Sequence, residues 1–434
     1  MALRVWVNGR PVGSLDRHGR GTTFAYDRGV DPRDAVSLTM PVRTASYDSA
    51  YDLLPVFDTN LPEGILRDTI QRTLAKAHGH ADPLDILRLT GRNQIGRIRV
   101  LQEDEQPARQ ASIRNMAELL EKRATRAFVN EIVERYALRS GVSGAMPKVL
   151  VETDPHADAD DSGHSRRTIL TSDYILKFDA EDYPGLSLNE FYSLEAAREG
   201  GNVTADARLN ADGRMLSVSR FDGTDGNRLG FEDLASLNAK TSAEKYSGSI
   251  ETALFKHLAE FSGYRKKENL EALYRLCVTN IAIRNGDAHL KNFALLFDDA
   301  DRGPFKFSPA YDLVTTTAWI RSDMMALTFQ GTKRWPKPEA VLQLGARAGL
   351  SKPRARNVIA EVGAGLRTVM PAMLDAFEAH GRPAIGQAVA NAWNEGLTMS
   401  LGVEAGTATK LRKPSAGGDA EEDRSPPEPS PFGT

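Results

Sequence analysis

The first dozen residues alternate apolar and polar side chains, with Val5, Val7 and Val12 flanking Asn8 and Gly9. A period of two gives a strand one buried face, and Asn-Gly readily takes the positive φ values of a tight turn, so the chain is predicted to open with a β-hairpin. From Leu61 the period lengthens: Ile65, Ile70 and Leu74 recur at roughly helical spacing behind Pro62, a residue suited to a first helical turn. A second strand-like run at 96–102 leads into the polar stretch 103–112, which reads as a linker. Helical text resumes at 116–136 and ends in 138–152, where small residues separate a helix from a β-rich run. The acidic stretch 153–167 holds Asp and His without ordered spacing and reads as a solvated hairpin tip rather than a metal site. Strands are predicted at 171–179 and 214–223, with a helix between them that carries Glu190 near its start. Past Leu234 the text is mostly helical, at 249–261, 268–284, 338–350 and 355–380. From about residue 407, Pro, Ser, Gly and charge displace apolar side chains, so that segment is expected to stay disordered. The fold class is α+β. The expected units are 1–110, 111–233 and 234–404, followed by a tail at 405–434.

Composition narrows the partners. With 434 residues, 41% of them hydrophobic, the chain can bury one large core or two to three medium ones. A formal charge of −3 provides no global attraction to nucleic acid, so any DNA contact needs a local patch or a partner. The one cysteine, Cys277, lies among apolar residues, which excludes an internal disulfide and reads as core rather than nucleophile. No stretch of about 18 apolar residues runs without charge, and the first residues lack the apolar segment of a signal peptide. The expectation is a cytoplasmic protein with no membrane partner.

The chemistry concentrates in short stretches. Residues 285–293 read NGDAHLKNF, between an apolar helix and the apolar strand FALLF. An acid followed five residues later by Asn suits phosphoryl transfer: Asp287 orients a hydroxyl, and Asn292 holds Mg²⁺ near the phosphates. Beyond the strand pair FALLF and FKFS stands Asp312, which a hairpin can return beside Asn292 as a second metal ligand. Lys177 sits on a predicted strand between Leu176 and Phe178, and a lysine with apolar neighbours wants an anionic partner; Glu190 on the next helix, and a phosphate, can provide one. Upstream, SGVSGAMPK offers glycine amides that can approach phosphate, and Lys148. It matches neither the Walker loop nor the GxGxxG spacing. Each stretch alone reads more readily as caps and turns; taken together they favour chemistry.

These motifs in this order, SGxxGAxxK, YILKF, NEFYxLxxA, VxRFD, KYS, NGDAHLKNF and FSPAYDLV, closely resemble the HipA family of bacterial serine/threonine kinases, the toxins of type II toxin–antitoxin modules. The resemblance extends to VNGRPVGSL and DTNLPEGILRD, and so over about residues 1 to 400. It implies a HipA-like kinase fold with a small N-terminal β-containing subdomain, a nucleotide-binding sheet lobe and a helical lobe. By resemblance, Asp287 is the catalytic aspartate and Asn292 and Asp312 are the Mg²⁺ ligands. Lys177 with Glu190 serves the phosphates of ATP, as do Gly144, Ala145 and Lys148 of the glycine-containing loop. Phe221 belongs to the adenine-side hinge, and His289 shapes the catalytic loop. The implied partners are a HipB-like helix-turn-helix antitoxin, operator DNA reached mainly through it, and a protein substrate of the aminoacyl-tRNA synthetase class, with glutamyl-tRNA synthetase leading.

The chain departs from the family pattern in places. Met146 stands where a Gln is frequent, and Ser219 replaces a hinge Glu ahead of RFD. Gly141 occupies the position of the family's phosphorylatable serine, leaving Ser140 and Ser143 as candidate autophosphorylation sites, and Ser236 stands where a Gln is usual. Two other readings remain open from the residues. One is a small-molecule phosphotransferase of kinase-like fold, and the other is a catalytically weak scaffold that binds the antitoxin at an operator.

Overall fold

The computed structural model describes residues 2–49, 53–61, 82–92, 94–107, 116–125, 127–129, 167–170, 173–179, 182–224 and 227–405. The predicted opening hairpin is present. Strands β1 (Leu3–Val7) and β2 (Arg10–His18) meet across Asn8 and Gly9, whose φ values are 45° and 77°. A primed two-residue turn needs both values positive and matches the right-handed twist of the strands it joins. Three further strands, β3 (Gly21–Tyr26), β4 (Tyr47–Ser49) and β5 (Ile98–Gln102), complete an antiparallel sheet in the order β4-β3-β2-β1-β5. Its inward residues, Leu3, Val5, Val7, Leu15 and Phe24, pack on Val56 and Phe57 of α1 (Pro55–Asp58) and on Ile86 and Leu87 of α2 (Pro83–Thr90). The helix expected behind Pro62 and the second half of the linker, 108–112, lie outside the described residues, as does the predicted tail from residue 406 onward.

A short helix α3 (Met116–Glu121) precedes a second antiparallel sheet of β6 (Arg167–Leu170), β7 (Tyr174–Phe178), β8 (Ala207–Leu209) and β9 (Met215–Ser219), ordered β6-β7-β9-β8. Helix α4 (Leu186–Glu199) connects β7 to β8. A two-strand ribbon, β10 (Gly223–Thr224) and β11 (Asn227–Arg228), leads to β12 (Gly230–Asp233) and the single turn α5 (Leu234–Leu237). Strand β12 pairs antiparallel with β13 (Ala294–Phe297), which in turn pairs with β14 (Lys306–Phe307).

The helical lobe forms the largest core. The helix expected at 249–261 splits into a π-helical stretch, Ile250–Lys256, and α6 (His257–Phe261). It is followed by α7 (Lys266–Ala282), α8 (Pro338–Arg347), the long α9 (Lys352–Ala379) and α10 (Pro383–Glu395), the last unmarked in the sequence reading. Leu188 and Leu194 of α4 share one apolar cluster with Leu366 and Met373 of α9 and Trp393 of α10. Cys277 is buried in it, and burial drives its thiol above its ordinary pKa, so it is core and not a nucleophile. Among the described residues no helix is long and apolar enough to cross a membrane.

The N-terminal sheet meets the rest of the chain along a polar seam. Asn8 and Arg228 exchange side-chain and backbone bonds of 2.9 and 3.1 Å, and Arg97 donates to the Asp298 carbonyl at 2.7 Å. Glu232 and Asp233 at the end of β12 are enclosed in it, exposed by only 2% and 1%. Glu232 accepts from Ser37 Oγ at 2.5 Å, Leu38 N at 2.8 Å and Ser236 Oγ at 2.8 Å; Asp233 caps α5 at Ser236 N and accepts from Thr59. Ser236 thus serves this seam. Burial outweighs the three donors and pushes the Glu232 carboxyl up to about 7 from an ordinary 4.5.

A raised carboxyl pKa means that the unfolded chain ionises first. The stability owed to the neutral Glu232 is complete below about pH 4.5 and is lost as pH rises through about 7. Glu232→Gln keeps the shape and does not titrate. Between about pH 5 and pH 8 the wild type is expected to lose on the order of 2 kcal/mol more stability than this variant, read from denaturant unfolding at the two pH values. Parallel losses would mean that Glu232 stays ionised against its donors.

Candidate active site

Strand β7 is interior to its sheet, between β6 and β9, and places Lys177 opposite Thr168 and Leu216. The side chain is enclosed, and its ammonium donates to Glu190 Oε1 at 2.6 Å and to Asp312 Oδ1 at 2.8 Å. The partner expected from sequence, Glu190, is present one turn into α4 with a side chain 0% exposed. Asp179, two residues beyond Lys177, sets the start of that helix: its carboxylate accepts from Gly185 N at 2.9 Å and Ser187 N at 2.7 Å, and pairs with Arg382. A strand residue and a helix residue are thereby held in one fixed relation. Asn189, adjacent to Glu190, accepts from Thr315 N at 2.9 Å and donates to Thr315 O at 3.3 Å, so the same helical turn also anchors the chain just past Asp312.

The loop at 285–293 leaves the C-terminus of α7 through Arg284, whose φ is 57°. Asn285 turns its amide back to Asn280 at 2.7 Å and accepts from Asp287 N at 3.0 Å, fixing the backbone under the acid. Gly286 N donates to Thr316 Oγ1 at 2.8 Å, and a β-carbon there would stand 2.0 Å from Asp323 Oδ2. Only glycine permits that approach. His289 and Asn292 then close a 3₁₀ turn, with His289 N donating to Asn292 Oδ1 at 2.9 Å. Asn292 Nδ2 reaches Asp312 Oδ2 at 3.2 Å across the β13–β14 hairpin. Asp312 sits at φ 58°, a left-handed position that Asp tolerates better than most residues, and Tyr311 pins it by donating to the Lys291 carbonyl at 2.6 Å.

Asp287 stands apart from this cluster and is half-buried. Its Oδ1 accepts from the Tyr246 phenol at 2.8 Å. Burial raises its pKa to about 6; the Tyr246 hydrogen bond and Lys245 oppose the rise, and the Asp312 and Asp323 charges add to it. His289 is buried and meets the Tyr246 ring edge-on at 5.2 Å. Phe221 is half-buried against Tyr311 and Phe231, with centroids 5.6 and 6.3 Å away. The structure therefore gathers Lys177, Glu190, Asn292 and Asp312, with Asp287 and His289 beside them. Ser140, Ser143, Gly144, Ala145 and Lys148 lie outside the described residues. Sequence reasoning passed over Asp179, Asn189 and Tyr246, although NE and KYS both stood in the motifs it singled out.

This donor set fits Mg²⁺. One carboxylate and one amide oxygen are hard ligands, and Mg²⁺ usually keeps several waters and takes only one or two side chains beside its phosphates. The Asn292 amide oxygen accepts one hydrogen bond from His289 N and has a second lone pair. Among the described residues no group of three or more His, Cys, Asp or Glu side chains would make a closed metal cage.

Comparison with known proteins matches the HipA N-terminal domain at residues 3–101 and the HipA-like C-terminal domain at residues 140–370. The chain belongs to the HipA family. A curated relative in Sinorhizobium fredii, Putative kinase Y4mE, is 28% identical over 396 residues, covering 85% of this chain and 87% of its own. A second from that organism, Putative kinase Y4dM, is 28% identical over 197 residues, or 41% of this chain and 47% of its own. The fold also matches HipA of Shewanella oneidensis, solved with HipB and operator DNA. Its TM-score is 0.62 at 16% identity, over 92% of this chain and 98% of that one. The α+β, HipA-like architecture inferred from the motifs is thus the observed one.

In this HipA-family chain, Lys177 forms a buried ion pair with Glu190. Lys177→Met would leave the buried Glu190 carboxylate facing an apolar side chain, at a cost on the order of 3 kcal/mol in unfolding free energy. Adding Glu190→Leu should recover most of that loss, since replacing a buried pair by apolar groups is often close to neutral. Chemical denaturation of the single and double variants checks this; equal stability of Lys177→Met and wild type would show that the pair is solvated.

Proposed function

We propose that this chain is an ATP- and Mg²⁺-dependent protein serine/threonine kinase and the toxin of a type II toxin–antitoxin module. The observation that carries the reading is the convergence of Lys177, Glu190, Asn292 and Asp312, with a separate carboxylate, Asp287, held by its own donor. A lysine ammonium has three N–H donors. Glu190 and Asp312 engage two, and the third serves a phosphate oxygen. Asn292 and Asp312 would hold Mg²⁺, which when bound offsets negative charge developing on the transferred phosphoryl group. Asp287 accepts a hydrogen bond from the acceptor hydroxyl, orients it and receives its proton as the oxygen–phosphorus bond forms. Phe221 lines the adenine side, and the glycine-containing loop with Gly144, Ala145 and Lys148 covers the phosphates.

The curated relatives' kinase names support phosphoryl transfer, and the N-terminal HipA match favours a protein acceptor over a small molecule. We place that acceptor among the aminoacyl-tRNA synthetases, with glutamyl-tRNA synthetase first to be tried. The antitoxin would be a HipB-like helix-turn-helix protein, because the Shewanella HipA fold neighbour is a complex with HipB and operator DNA. Contact with the operator would run mainly through that partner, in keeping with a chain of net charge −3.

Asp287→Ala is expected to lower phosphoryl transfer by about 10³-fold or more while leaving ATP binding and unfolding close to wild type. Transfer of label from γ-labelled ATP to purified glutamyl-tRNA synthetase, with the variant as control, measures it; a variant that still transfers label removes Asp287 from the mechanism. Asp312→Ala is expected to weaken nucleotide binding in Mg²⁺ by about tenfold and to have a much smaller effect in EDTA. Calorimetric affinities that do not depend on Mg²⁺ in either protein would count against the metal assignment.

A further inference from the structure

Residues 241–247 touch both the N-terminal sheet lobe and the catalytic loop. Thr241 and Glu244 close a 3₁₀ turn by a capping box. Within it, Ser242 N donates to the Asp58 carboxylate, and Ser242 Oγ donates to the Asp58 carbonyl at 3.3 Å. Asp58 ends α1 of the N-terminal lobe and is 4% exposed, so this contact is enclosed. At the other end the Lys245 carbonyl accepts from Leu290 N at 3.1 Å, which ties the segment's backbone to the catalytic loop. Tyr246 then donates to Asp287 Oδ1 at 2.8 Å and lays its ring edge-on to His289. Lys291 Nζ closes the circuit by reaching Ser242 Oγ at 3.2 Å.

We propose that Asp58 and residues 241–247 form a brace through which the N-terminal lobe holds Asp287 in place, with Tyr246 as the positioning residue. A carboxylate on a loop turns about two side-chain bonds. One hydrogen bond from a ring whose backbone is itself pinned selects one orientation and leaves the other oxygen for an incoming hydroxyl. Tyr246 is 44% exposed, so its contribution is direction rather than burial. Among the described residues, Asp58 bonds neither to Asp287 nor to Asn292 or Asp312, and it acts through Ser242. The N-terminal lobe is then part of the catalytic apparatus and not an appended module, and anything that shifts α1 alters the acid. These contacts carry the coupling, and spatial continuity becomes coupling only when a change at one end is felt at the other.

The catalytic half of this inference rests on the kinase reading, whereas the mechanical half does not. Full-length Asp58→Leu and Tyr246→Phe, both close in shape to wild type, separate the two, since leucine offers Ser242 N no acceptor. In hydrogen-exchange mass spectrometry, Asp58→Leu should raise exchange by about tenfold or more in peptides spanning 241–248 and also 285–292; Tyr246→Phe should do so mainly at 285–292. Ser242→Ala deletes only the hydroxyl shared with Asp58 and Lys291, and repeats the test should Asp58→Leu prove unstable. In ATP turnover, Asp58→Leu and Tyr246→Phe should each lower kcat by about tenfold with the KM for ATP unchanged. The double variant should lose less than the product of the two single effects, because both changes act on the same acid. Wild-type exchange at 285–292 in both Asp58→Leu and Ser242→Ala overturns the brace. A wild-type kcat in Tyr246→Phe overturns the positioning role. A wild type that turns over no ATP refutes the kinase reading, and the exchange data still decide the brace.

Discussion

Lys177 brings an ammonium into the protein interior, and the placement of several elements follows from the need to satisfy it. An unpaired charge there would be costly, so Glu190 on α4 and Asp312 beyond β14 converge on it at 2.6 and 2.8 Å. These three residues come from a strand, a helix and a loop well separated in sequence. Asp179 fixes the helix relative to the strand, and Asn189 fixes the loop relative to the helix. Asp312 is then close enough for its second oxygen to meet Asn292. The charge pairing and the proposed phosphate and metal positions are one arrangement, and a change to any member disturbs both stability and chemistry.

The same physics recurs at the seam with the N-terminal sheet. Glu232, Asp233 and Asp58 are all carboxylates with little exposure, and each accepts hydrogen bonds from the facing side: Ser37 and Leu38 for Glu232, Thr59 for Asp233, Ser242 for Asp58. Directed bonds of this kind fix the relative position of two lobes more sharply than apolar contact, which tolerates sliding. Strand β12, which carries Glu232 and Asp233, is hydrogen-bonded to β13, the strand that follows the loop at 285–293. The N-terminal sheet therefore abuts the site's supporting strands through polar contacts.

Much of this was legible in the sequence because the signals were local. Alternation around Asn8-Gly9 specified a hairpin, apolar spacing specified α7 and α9, and a lone lysine between Leu176 and Phe178 demanded an acidic neighbour. The order of short motifs identified the family, and with it Asp287, Asn292 and Asp312 as the residues to examine. Other features left a weaker mark. Strands β3 and β4 carry few alternating positions, α10 begins among small residues, and the π-helical stretch at Ile250–Lys256 shares its apolar pattern with an ordinary helix.

What the sequence by itself determined was the set of elements and the residue types able to do chemistry, because backbone preference and side-chain acidity belong to single residues and their near neighbours. The tertiary structure decided which of those residues meet. Tyr246 gave no sign of facing Asp287 forty-one positions away, nor Asp58 of supporting Ser242, because a hydrogen bond between distant segments depends on how whole lobes pack. The raised pKa of Asp287 is of the same kind: it comes from burial and from the Asp312 and Asp323 charges, which no stretch of neighbouring residues contains.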